Sequence, residues 1–133
     1  MTAPLSARDK VREGLSAALD KKAAAVLVFN LTELTTMADF FVLSTASSDR
    51  QARAIADAIT EAIGPAHSVE GLASANWILM DYGDVVFHVF REEARKFYAL
   101  ERLWGDAPNE TGIFGGAVRA GAATSSSASK RPS

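Results

Sequence analysis

Two aspartates, Asp81 and Asp84, flank Tyr82 and Gly83 in the stretch "NWILMDYGDVVFHVFREEARKFY", with His88 four residues after the second and Trp77 four before the first. Two carboxylates and an imidazole are the ligand types of a divalent-metal site, and equally the partners of an acid/base pair. Whether they can act together depends on the elements that hold them. "WILMD" and "VVFHV" are apolar runs rich in β-branched and aromatic residues, so the stretch reads as two strands around a turn at Tyr82 and Gly83. Pairing outward from that tip sets Asp81 against Asp84, Met80 against Val85, Leu79 against Val86, Ile78 against Phe87 and Trp77 against His88. A tight turn with positive φ at both tip residues suits Gly83 better than Tyr82, which leaves a longer turn and a shifted pairing open.

On this hairpin His88 lies about 13 Å along its strand from Asp84, beyond the ligand shell of one ion. No metal site is expected. The aspartates fall about 5 Å apart at an exposed tip, where water screens them and turn formation accounts for both. Alternation turns Ile78, Met80, Val85, Phe87 and Val89 toward the core, and Trp77, Leu79, Val86 and His88 to the other face, rimmed by the aspartates. Large apolar side chains outside a core form a protein interface, and an acidic rim suits a basic partner. The alternative is that the last helix of the chain, with Phe97, Leu100 and Trp104, covers this face.

Other chemistry finds little support. "STASSDRQA" leads from a strand to a helix N-terminus, whose free N–H groups can bind phosphate. Nucleotidyl transfer on such a frame also needs a carboxylate pair for metal ions, commonly at alternate strand positions, and no two acidic residues here are spaced i and i+2. Nucleophile and phosphate-loop motifs are missing, and His67 after "GPA" reads as a loop residue. No catalytic, cofactor or metal residue is assigned.

The elements around the hairpin are legible. Ser6 caps a helix over residues 6 to 21 with Val11, Leu15, Ala18 and Leu19 on one stripe. "AVLVFNL" (25 to 31) and "FFVLST" (40 to 45) are strands covered on both faces or central in a sheet. Ser48 and Gln51 form a capping box for a second helix with Ala52, Ile55, Ala56, Ile59 and Ile63 inward, stopped by Gly64 and Pro65. "HSVEG" is a short strand and "EEARKFYALERLWG" a last helix. The sum is one α/β domain, a mixed sheet of about five strands with flanking helices, over residues 1 to 106. Residues 107 to 133, rich in Ala, Gly and Ser, read as a disordered tail whose "GIFGG" carries two apolar residues that are either idle or docked.

Composition narrows the function classes. The 133 residues are 48% hydrophobic, enough for one core. Cysteine is absent, which excludes disulfides and thiolate chemistry and fits a cytoplasmic setting. No apolar run is long enough to span a bilayer, so no membrane partner is expected. Residues 1 to 106 carry 11 basic and 15 acidic groups, a balance that repels phosphate backbones and argues against direct nucleic-acid contact.

"ADFFVLSTASSDRQARAIADAI", "VEG", "WILMDYGDVVFHVF" and "ARKFYALERLWGDA" resemble, in order and spacing, the ribosomal silencing factor or Iojap-like family over about residues 6 to 107. The resemblance implies a nucleotidyltransferase-like fold without catalytic carboxylates, and a non-enzymatic translation repressor acting when nutrients are scarce. Such a protein binds the large ribosomal subunit through universal large-subunit protein fourteen and blocks joining of the small subunit. Carried over by position, the family's partner-binding motif falls on Trp77, Leu79, Asp81, Tyr82 and Gly83, with His88 on the same hairpin. The Ala/Gly/Ser-rich tail lies outside the family's pattern. Two other readings stay open: a nucleotide- or phosphate-binding enzyme, and a homodimer built on the same patch.

Overall fold

Ser6 and Ser48 each open a helix in the computed structural model, which describes residues 5–94 and 107–114. The Ser6 hydroxyl accepts from the Asp9 N–H and starts α1 (Ala7–Asp20); the Ser48 hydroxyl accepts from the Gln51 N–H and starts α2 (Asp49–Ile63). Each cap satisfies one of the N–H groups that a helix start leaves without a partner. Gly64, at φ 96°, ends α2 in a conformation an L side chain rarely adopts. The expected stripes are the buried ones: Val11, Leu15 and Ala18 on α1, and Ala52, Ile55, Ala56 and Ile59 on α2. Gly14 joins the first set, because a Cβ there would collide with the Phe87 ring.

The strands are β1 (Ala24–Asn30), β2 (Phe40–Ala46), β3 (Ser68–Glu70), β4 (Trp77–Asp81) and β5 (Val85–Arg91). They form one mixed sheet in the order β1-β2-β5-β4-β3, parallel between β2 and β5 and antiparallel elsewhere. A bulge near Ala25, which has φ 48°, places one extra residue on β1 against β2. The α/β fold with a mixed five-stranded sheet is as the sequence indicated.

α1 and α2 pack on one face, where Val28, Val42, Ile78, Met80, Val85, Phe87 and Val89 meet the helix stripes in the main core. The other face carries a smaller cluster around Phe29, Leu31, Leu43, Val86 and Phe90. Residues 92 to 94 begin a helical turn, while the rest of the expected last helix and residues 115 to 133 lie outside the described residues.

Residues 107–114 correct the expectation of a tail disordered from 107 onward. They run along the free edge of β1: the Asn30 N–H donates to Pro108 C=O, and the Glu110 N–H donates to Val28 C=O. The Val28 N–H donates to the Thr111 hydroxyl at 2.9 Å, and Phe29 bridges to Asn109. Phe114 is buried edge-on to Phe40 at 5.8 Å, with the Arg8 guanidinium over both rings. Composition undervalued this segment because its ordering is repaid by the backbone of an edge strand as well as by its own apolar area.

Candidate protein-interaction face

The hairpin's register differs from the sequence expectation by two residues. β4 and β5 pair Trp77 with Phe90, Ile78 with Val89, Leu79 with His88, Met80 with Phe87 and Asp81 with Val86. The turn accordingly moves one residue along the chain. The Tyr82 N–H donates to Val85 C=O at 2.9 Å, leaving Gly83 and Asp84 at the tip. The positive φ, 89°, falls on Gly83, and the Asp81 carboxylate accepts the Gly83 N–H at 2.7 Å. An Asx turn followed by glycine is cheaper than forcing Tyr82 to positive φ. A shift of two keeps every side chain of the two strands on its expected face.

The two aspartates therefore part company. Asp81 stays on the Trp77 face at the turn, whereas Asp84 reaches the helix side and pairs with Lys10 of α1 at 2.9 Å. Asp84 C=O also accepts the N–H groups of Asp39 and Phe40, which ties the tip to the start of β2. The expected rim of two aspartates is corrected to Asp81, with Glu70 beside Leu79 on β3. Among the described residues no group of three or more His, Asp or Glu side chains is placed to hold a metal ion.

The six singled-out residues divide by exposure. Trp77, Leu79 and Asp81 are half-buried on one face, and Gly83 is exposed at the tip. Tyr82 points the other way: its ring packs edge-on to Phe87 in the main core, and its hydroxyl donates to Gly64 C=O at 2.7 Å. Burial pushes the phenol above its ordinary value, partly opposed by the Thr60 hydroxyl. His88, at 3% exposure, lies beneath the surface it was expected to help form.

His88 nonetheless organises that surface. The Trp77 indole N–H donates to His88 Nδ1 at 3.0 Å, so residues that are not cross-strand partners meet diagonally. The Trp77 ring stacks on Phe90 at 5.2 Å, and His88 lies 4.7 Å from Phe41. Phe41 and Leu27 are half-buried beside this cluster, and the sequence reading missed both. Alternation along "FFVLST" would have found Phe41 once β2 was placed next to β5. The face as a whole is a strip of half-buried apolar groups, Leu27, Phe41, Leu79 and Trp77, with carboxylates at its β3–β4 border.

This architecture has known counterparts. The family model described as "Ribosomal silencing factor during starvation" matches residues 4–133, so the match runs through the tail expected to lie outside the pattern. The ribosomal silencing factor RsfS of Halalkalibacterium halodurans is 37% identical over 108 residues, covering 78% of this chain and 92% of that one. Its namesake in Bacillus subtilis is 40% identical over 93 residues, 67% of this chain and 79% of that one. A crystal structure of a protein from Chromobacterium violaceum superposes with a TM-score of 0.73 at 28% identity, covering 76% of this chain and 88% of that one. With a match over nearly its whole length and relatives this similar, the chain belongs to the ribosomal silencing factor family.

Proposed function

We propose that this protein represses translation when nutrients are limited, by docking its outer sheet face on the large ribosomal subunit and keeping the small subunit from joining. The observation that carries the reading is the pair of half-exposed apolar side chains, Trp77 and Leu79, on a strand that packs its other side in the core. Relatives named for ribosomal silencing support it. The partner is universal large-subunit protein fourteen, met by apolar burial at Trp77 and Leu79 and by acid-to-base pairing at Asp81 and Glu70. Gly83 adds exposed backbone at the tip, while Tyr82 and His88 support the contact from beneath. Action is steric and non-enzymatic, in the cytoplasm. Among the described residues no helix is long and apolar enough to cross a membrane.

An enzyme acting on a nucleotide at the turn before α2 draws no support from the geometry. Two of the N–H groups there are taken by protein: Gln51 N–H by Ser48, and Ser47 N–H by the Gln51 side chain. Asp49 adds a carboxylate to the first turn of α2, paired with Arg91 at 2.8 Å, and a negative charge there disfavours a phosphate.

Trp77→Glu and Leu79→Glu test the reading by co-sedimentation with purified large subunits. Loss of a central interface Trp costs about 2 kcal/mol or more, roughly thirtyfold in affinity. Both variants are expected to lose binding while keeping the wild-type far-UV spectrum; folded variants that bind undiminished would contradict the proposed face.

A further inference from the structure

We infer that His88 is a positioning residue that fixes the Trp77 indole in its docking orientation before any partner arrives, an inference that rests on the proposed use of this face. The imidazole is buried at 3% exposure and cannot supply much contact area itself. Its Nδ1 accepts the Trp77 indole N–H at 3.0 Å. An indole only donates, so this bond requires an imidazole whose Nδ1 carries no proton.

The surrounding rings hold the imidazole in turn. It stacks parallel to Phe90 with centroids 5.9 Å apart and an interplanar angle of 5°, and meets the Phe41 ring edge-on at 4.7 Å. Trp77 lies over Phe90 at 5.2 Å, so one stacking contact and one hydrogen bond fix its ring from two sides. The polar edge of the indole is satisfied internally, and what it presents outward is apolar ring. A partner therefore neither has to order this side chain nor supply an acceptor for its N–H. Pre-ordering one large side chain is worth roughly a two- to tenfold gain in affinity.

The test compares His88→Leu, which removes the acceptor and keeps apolar volume, with His88→Asn, whose side-chain carbonyl reaches nearly the position of Nδ1. The bond itself is read without ribosomes, from the Trp77 indole N–H resonance, assigned by its loss in Trp77→Phe. That resonance should shift and exchange faster with solvent in the Leu variant, and return toward wild type in the Asn variant. Affinity for purified large subunits should fall about two- to tenfold in His88→Leu and recover most of that in His88→Asn. A Leu variant that keeps wild-type affinity, or an Asn variant as weak as a folded Leu variant, would overturn the inference.

Should His88→Leu fail to fold, Trp77→Phe carries the test by deleting the donor. On that background His88→Asn should cost no further affinity, and an added loss would count against the coupling. Wild-type protein that fails to bind large subunits defeats the proposed function instead, while the indole resonance still reports on the bond.

Discussion

A tyrosine in a turn and a histidine in a strand were both expected at a partner surface, and both are buried, on opposite sides of the sheet. Tyr82 closes the hairpin onto α2 through its hydroxyl bond to Gly64 C=O. Because burial raises its folded value above the ordinary 10.0, the neutral phenol contributes stability in full below about pH 10 and loses it as pH climbs through the folded value. Tyr82→Phe is expected to lower stability near neutral pH by about 1 kcal/mol, through the lost hydrogen bond. It should also flatten the alkaline decline attributable to this residue, as urea melts from pH 8 to 11 can show; an unchanged alkaline slope would contradict the assignment. The face that each residue of the two hairpin strands takes was legible, since alternation survives a two-residue slip. The roles of the two aspartates were not, because they depend on a turn whose length was left open and on Lys10, 74 residues away from Asp84.

The described helices and strands emerged from local signals with bounds shifted by about one residue, because caps, stripes and stop residues act within a turn or two of chain. The segment after residue 106 did not. Its order depends on the free edge of β1, a non-local partner that composition does not reveal, and on Phe114 finding Phe40 and Arg8. Phe114→Ala should destabilise the domain by about 3 kcal/mol if the site collapses as poorly as a typical core position. Amide hydrogen exchange should then rise at Val28 and Asn30, whose N–H groups donate to this segment. Unchanged protection there would mean that the segment does not depend on its aromatic anchor. Capping this edge leaves β3, three exposed residues long, at the other end of the sheet, where its shortness itself limits edge-to-edge pairing.

At the scale of the whole molecule, the two described helices serve one face of the sheet and leave the other to a thinner apolar cluster. That asymmetry gives the fold a rigid platform, with Trp77 and Leu79 on a strand whose inward residues, Ile78 and Met80, are fully buried. The proposed block of subunit joining calls for bulk placed firmly at one position, which a sheet does better than a loop. The family was legible from "DYGDVVFHVF" and its neighbours, whereas the sheet order and the chain's own packing around Trp77 needed the fold. The proposed repression is tested most directly by a sucrose-gradient profile of purified large and small subunits, mixed under joining conditions with and without the protein. Steric repression predicts fewer joined ribosomes, more free subunits and the protein migrating with the large subunit; undiminished joining at saturating protein would rule it out.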